Sequence, residues 1–257
     1  MSSDKITRLP GKFIWFEHVS GDLAKARAFY EPLFGWHTEA MQMGDRTYHM
    51  LLNGNQGIGG LRTAEAGAPN QWISYMSVDN VDASVKTATA AGARLVQPPT
   101  DFPTVGRGAD LVDPTGGAFC LWTSLKSDEP DGDVPPGGFV WNELSTPDAK
   151  KALAFYEQAF GYTHSTMDMG DQGTYYILET AGNQARAGLF QPKEPMPTMW
   201  LPYVHVGDCD ATFAKAQKLG SGFTAMPPTD IPTVGRIAIF GDSQGAAIGI
   251  LKPDPKM

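Results

Sequence analysis

Two short segments place a glutamate two residues after a tryptophan in apolar, strand-like surroundings: Phe13-Ile14-Trp15-Phe16-Glu17 and Phe139-Val140-Trp141-Asn142-Glu143. Strand alternation puts Phe13, Trp15 and Glu17 on one face, and Phe139, Trp141 and Glu143 on the matching face. Burial among aromatic rings favours the uncharged form of a carboxyl group, so Glu17 and Glu143 are candidate general acids or bases. The alternative is a partner outside the pocket or exposure at the strand end. Trp15 and Trp141 offer a flat apolar floor for a planar ligand, or serve as core. His205 alternates with Leu201 and Tyr203 and is expected to face Glu143, where a His–Glu pair could move protons near neutral pH. Arg107 and Arg236 each follow a Pro-Thr-Val-Gly turn. A fixed guanidinium there could grip a carboxylate or phosphate through paired hydrogen bonds, or pin its loop through Asp101 or Asp230. Tyr48, Tyr175, Tyr75 and Tyr203 could supply pocket hydroxyls, although tyrosine in a β-rich chain is a packing residue first.

The elements that position these residues come from a duplication. The two tryptophan–glutamate segments are 126 residues apart, and the same offset carries Ala28-Phe29-Tyr30 onto Ala154-Phe155-Tyr156. The offset grows to 127 at Tyr48/Tyr175, 128 at Trp72/Trp200 and 129 at Arg107/Arg236, as single-residue loop insertions would produce. Residues 124–138 are rich in Asp, Pro and Gly and read as a linker between domains at 11–123 and 139–252. Each copy divides again. A helix-opening residue and a closing glycine stand 13 apart in Asp22/Gly35, Asp79/Gly92, Asp148/Gly161 and Gly207/Gly220. That spacing encodes a helix of about three turns. A strand pattern precedes each helix and short strand patterns follow it, so the module is β-α-β-β-β and the fold class is α+β.

Composition sets outer bounds. Hydrophobic residues make up 42% of the 257, charged residues 19%, and the net charge is −8. The charge argues against nucleic-acid or anionic-membrane surfaces. No apolar stretch approaches the ~20 residues of a transmembrane helix, and Met1–Pro10 lacks the layout of a secretory signal. Cys120 and Cys209 do not correspond in the repeat, so a disulfide framework is not expected and the chain reads as cytoplasmic. Gly241-Asp242-Ser243-Gln244-Gly245 matches the serine-hydrolase elbow in letters only. Its counterpart, Val112 to Gly116, has no serine and lies between strands.

Paired βαβββ modules with Phe29-Tyr30, Phe34-Gly35-Trp36 and Asp113-Pro114-Thr115-Gly116 resemble the vicinal oxygen chelate superfamily. That group includes glyoxalase I, bleomycin-resistance proteins and extradiol dioxygenases. The second half repeats the match with Phe155-Tyr156, Phe160-Gly161-Tyr162 and Asp242-Ser243-Gln244-Gly245. Within the group the chain looks most like tandem-domain glyoxalase-like proteins, often labelled hydroxylases, that include a mycobacterial secreted antigen. The resemblance implies a sheet curled into a trough in each domain. It also implies a divalent metal held by His, Glu or Gln at four strand positions per domain. Here those positions hold Trp15, Gly60, Ile73 and Cys120, then Trp141, Gly188, Leu201 and Gly249. The expectation is therefore no metal and no cofactor. It is a metal-independent protein with a small-molecule pocket per domain, acting as a lyase, isomerase or hydroxylase-type enzyme with Glu17 and Glu143 as bases. Two rivals stand beside it: a non-catalytic protein that sequesters a drug or metabolite, and a metal-dependent glyoxalase or dioxygenase with displaced ligands such as Glu143 and His205. The fused copies suit a monomer with an internal pseudo-dimer, or a homodimer.

Overall fold

The computed structural model describes residues 6–43, 46–194 and 196–254; Met1 to Lys5 of the opening segment lie outside them. The βαβββ order occurs four times. The first module is β1 (Phe13–Ser20), α1 (Leu23–Phe34), β2 (His37–Met43), β3 (Arg46–Asn53) and β4 (Gln56–Thr63). The second is β5 (Gln71–Ser77), α2 (Val81–Ala90), β6 (Arg94–Phe102), β7 (Gly106–Val112) and β8 (Ala118–Ser124). The third is β9 (Phe139–Ser145), α3 (Ala149–Phe160), β10 (Thr163–Asp168), β11 (Thr174–Thr180) and β12 (Gln184–Phe190), with one 3-10 turn at Gly170–Gln172. The fourth is β13 (Met199–His205), α4 (Cys209–Lys218), β14 (Phe223–Ile231), β15 (Gly235–Gly241) and β16 (Ala247–Pro253). The strands form two curled eight-stranded sheets, in the orders β2-β3-β4-β1-β5-β8-β7-β6 and β10-β11-β12-β9-β13-β16-β15-β14. In each module the first strand pairs in parallel with the last, and the remaining pairs are antiparallel.

The 13-residue spacing locates all four helices but is one residue off at both ends of α2 and α4, whose C-caps are Ala91 and Leu219 rather than Gly92 and Gly220. Asp22 and Asp148 cap α1 and α3 by accepting the backbone N–H of Lys25 and Lys151. In α2 and α4 the caps are Asn80 and Asp208, one residue beyond Asp79 and Gly207. Asp208 has the short polar side chain that Gly207 lacks and accepts the backbone N–H of Ala211, and Asn80 does the same with Ala83. Gly35 and Gly161 close their helices in the left-handed conformation that a Cβ disfavours.

Compaction follows modules rather than chain order. One unit comprises residues 1–14, 74–131 and 142–200; the other comprises 15–73, 132–141 and 201–257. Within the first, α2 packs with α3; within the second, α1 packs with α4. Each unit is pinned by the same buried relay. In the first, the Trp200 indole N–H donates to the Tyr156 hydroxyl at 2.9 Å, which donates to Asp113 Oδ2 at 2.9 Å. Asp113 Oδ1 accepts the backbone N–H groups of Thr115 and Gly117 in its own turn. In the second unit Trp72 donates to Tyr30 at 3.0 Å, Tyr30 to Asp242 at 3.0 Å, and the turn amides of Gln244 and Ala246 to Asp242 Oδ1. Burial, then the adjacent carboxylate, pushes both tyrosines well above their usual range, so both remain neutral donors. The Phe-Tyr and Asp-x-x-Gly motifs are therefore two ends of one hydrogen-bonded strut between helix and turn. The second unit adds His18, whose Nε2 lies 2.9 Å from Asp242 Oδ2 with both side chains fully buried. Leu144 holds the matching place in the other copy.

Two side chains depart from simple alternation. Phe13 turns its ring onto Trp200 at 4.7 Å, and Phe139 stacks on Phe16 at 4.2 Å beside Trp36 and Trp72. Neither joins the face of Trp15 and Glu17 or its counterpart as alternation predicts. At the first residue of a strand, packing into an aromatic cluster outweighs the pleat.

Candidate functional site

On the face of β1, β3 and β4, four side chains form one hydrogen-bonded chain. The Trp15 indole N–H donates to the Tyr48 hydroxyl at 2.9 Å, and that hydroxyl donates to Glu17. Arg62 Nε donates to Glu17 Oε2 at 2.6 Å in an ion pair. Glu17 is only 4% exposed, whereas Trp15 is half-buried. Burial and then the Glu17 charge raise Tyr48 well above the ordinary phenol range, so the hydroxyl stays protonated. The register explains the geometry: Gly60 lies opposite Glu17, and two residues on, the same face of β4 presents Arg62.

The second copy repeats half of this. Gly188 lies opposite Glu143, and the Tyr175 hydroxyl donates to Glu143 Oε2 at 2.8 Å. Phe190 replaces Arg62, its ring stacked near-parallel on Tyr175 at 6.2 Å and 24°. Neither Arg62 nor Phe190 stood out in the sequence as a site residue. The available signal was their matched position two residues beyond Gly60 and Gly188.

The remaining sequence-stated candidates are placed as follows. Tyr75 on β5 lies opposite Cys120 and meets Trp122 edge-on at 5.9 Å. Tyr203 is buried in an apolar cluster with Leu201 and Leu251, against which Val140, Trp141 and Ile237 pack. His205 is half-buried, and its Nδ1 donates to the Val134 carbonyl, so the ring is anchored on the segment between β8 and β9. Glu143 and His205 fall in different compact units. Arg107 forks onto Asp82 at 2.8 and 3.0 Å and reaches Asp101 at 2.8 Å; Arg236 does the same with Asp210 and Asp230. Loop pinning, the alternative left open above, is thus the arrangement found. The aspartates in the first turns of α2 and α4, Asp82 and Asp210, are its unforeseen partners.

The residues present do not fit the metal that the resemblance implies. Trp15 and Trp141, Ile73 and Leu201 carry no suitable donor, the glycines carry no side chain, and Cys120, the one possible ligand among the eight, is a single buried thiol, which does not make a site. The space is also taken. A Cβ on Gly60 would fall 1.9 Å from the Tyr48 hydroxyl oxygen, and one on Gly249 would fall 2.4 Å from the Tyr203 ring. Tyrosines occupy the directions in which ligand side chains at positions 60 and 249 would project. Among the described residues no group of three or more His, Cys, Asp or Glu is arranged to hold a metal ion. Nor, among them, is any helix long and apolar enough to cross a membrane.

Comparison with known proteins adds the lineage of this arrangement. Residues 16–122 match the model described as glyoxalase-like domain, and residues 138–250 match glyoxalase/bleomycin resistance protein/dioxygenase superfamily. CFP32 of Mycobacterium tuberculosis, named as a candidate glyoxylase, is 35% identical over 94% of this chain and 95% of its own length. The anthracycline biosynthesis protein DauV of Streptomyces sp. strain C5 is 29% identical, over 95% of this chain and 94% of its own. Among solved structures, the Mn(II)-bound glyoxalase of Novosphingobium aromaticivorans superposes with a TM-score of 0.63 at 17% identity, covering 96% of this chain and 82% of that one. An extradiol ring-cleaving dioxygenase from B. fuscum gives 0.68 at 15%, covering 99% and 75%.

Proposed function

Because the chain belongs to the glyoxalase/bleomycin resistance protein/dioxygenase superfamily, we propose that it is a metal-independent enzyme acting on a small organic molecule. Residues 11–123 and 139–252, joined by 124–138, each supply one binding face. The observation that supports this reading is the Tyr48 hydroxyl, seated where a side chain at position 60 would project and bonded to both Trp15 and Glu17. A carboxylate fixed by a protonated phenol is an organic acid–base pair. Glu17 and Glu143 accept a proton from an acidic C–H or O–H of the ligand. Tyr48 and Tyr175, hydrogen-bonded to those carboxylates, hold them in place while the proton moves. The chemistry is a redox-neutral proton transfer, an isomerase or lyase type of step. Trp15 and Trp141 provide the apolar floor, and the buried, disulfide-free cysteines accord with a cytoplasmic setting.

The test is exchange of carbon-bound hydrogen for solvent deuterium, followed by NMR on a panel of small 2-oxo aldehydes and ketones with EDTA present. Exchange by the wild type, slowed about 100-fold or more in Glu17→Gln plus Glu143→Gln, is the expected result. Exchange abolished by EDTA alone would overturn the metal-free reading. A second reading is non-catalytic sequestration, favoured by the similarity to anthracycline biosynthesis proteins. It predicts ligand binding with no exchange, and binding that survives both substitutions.

A further inference from the structure

The sheet face built on β5, β7 and β8 differs from its counterpart on β13, β15 and β16 in a way the shared fold does not require. The second-copy face is closed. Tyr203 lies against Gly249, where a Cβ would fall 2.4 Å from its ring. With Leu201 and Leu251 it forms a cluster no member of which is more than 6% exposed, and Ile237 and Ile239 pack against it. In the first copy Cys120 stands in the place of Gly249, Gly108 in that of Ile237 and Trp122 in that of Leu251. The cysteine side chain takes the space that glycine leaves for the tyrosine, and Tyr75 is half-buried, edge-on to Trp122 at 5.9 Å. The Trp122 ring lies across β7, where a Cβ on Gly106 or Gly108 would fall 2.7 Å from it, and Phe102 meets it at 5.5 Å. Tyr75, Phe102 and Trp122 are each half-buried, so these rings form an aromatic surface that solvent reaches. Trp15, Trp36, Trp72 and Trp200 donate their indole N–H to a protein oxygen. The Trp122 N–H has no hydrogen-bond partner among the described residues and is not sealed from solvent. An indole offers a broad apolar face and one polar handle, and it attracts a further ring by offset stacking or edge-on contact. We infer that this face of the first copy is a stacking platform for a planar aromatic molecule bearing an acceptor oxygen, such as a ring carbonyl. Trp122 is its anchor, and the second-copy counterpart takes no ligand. This rests on the reading of residues 11–123 as a small-molecule-binding domain and names the ligand class.

The experiment is isothermal titration calorimetry on the full chain at pH 7.5 with two probes of equal charge, planar anthraquinone-2-carboxylate and globular adamantane-1-carboxylate. The wild type should bind the planar probe at one site per chain and the globular one about tenfold more weakly. Trp122→Leu should weaken the planar probe by about tenfold and leave the globular one little changed. Where Trp122→Leu fails to fold, which circular dichroism checks, Gly108→Ile with Trp122→Leu installs the leucine and isoleucine that already pack together in the second copy, and should have the same effect. If the planar probe binds and neither Trp122 variant weakens it by threefold, or if Trp15→Leu alone removes it, the platform is wrong and the small-molecule reading stands. If neither probe binds any form of the protein, the inference and the reading beneath it both fall.

Discussion

Gly60 offers a sharp test of the claim that a tyrosine has taken over the ligand position on this sheet face. Replacing it with alanine adds one methyl group 1.9 Å from the Tyr48 hydroxyl and 2.3 Å from the ring carbon that bears it. Ordinary contact begins near 3.4 Å. The strand backbone is held on both sides, β4 pairing with β1 and β3, so the ring must swing away by more than about 1 Å. That movement breaks the Trp15-to-Tyr48 bond and the Tyr48-to-Glu17 bond together. A neutral hydrogen bond contributes about 1 kcal/mol and one to a charged group about 1.5–3 kcal/mol, so Gly60→Ala should cost about 2–4 kcal/mol. In a Tyr48→Ala background the three atoms nearest to that methyl, all from the Tyr48 side chain, are gone, and the same change should cost well under about 1 kcal/mol. Urea unfolding of the four proteins in this cycle measures a coupling of about 2 kcal/mol or more. Equal costs in the two backgrounds would refute the reasoning, because the clash would then not be with Tyr48.

Other expectations follow from the struts. Tyr156→Phe strands the Trp200 indole N–H and removes a donor from Asp113, for about 2–4 kcal/mol in urea unfolding. Tyr30→Phe should cost less, since Asp242 keeps His18 on the same oxygen; the reverse order would contradict the assignment. The Asp242 carboxyl is pushed up by burial, but the His18 contact and the turn amides outweigh this and hold it below the usual carboxylate range. A carboxyl lowered on folding stabilises above its unfolded value of about 3.9 and loses that contribution as pH falls through the lower folded value. The stability gap between wild type and His18→Leu should therefore be widest near neutrality and shrink below about pH 4. A gap that grows on acidification would show that the sign is wrong.

The fold was largely legible because duplication writes the same elements more than once. Four helix spacings, each ended by glycine, gave every helix, and the insertion-by-insertion drift of the offset marked the loops. What the spacing could not tell was which polar neighbour caps a helix: Asn80 beside Asp79, or Asp208 beside Gly207. The pairing of Tyr30 with Asp242 and Tyr156 with Asp113 was also hidden. A motif records residue types within one segment, whereas these bonds join segments 212 and 43 residues apart. Of the candidate site, Glu17, Glu143 and both tryptophans were visible from alternation. The tyrosine that bonds each glutamate was seen only as a possible pocket hydroxyl, because its reach depends on the absent side chain of a glycine on a neighbouring strand. Arg62 and Phe190 escaped for a related reason. Their meaning lies in the difference between copies, and a search for repetition discards differences.

The most direct measurement is a crystal structure of the protein grown with Mn(II), at a wavelength that makes the metal visible by anomalous scattering, and soaked with a ligand found by the exchange screen. The account predicts organic density within hydrogen-bonding reach of the Tyr48–Glu17 or Tyr175–Glu143 pair, with no anomalous peak on either face. An anomalous peak coordinated by side chains of either curled sheet would contradict it.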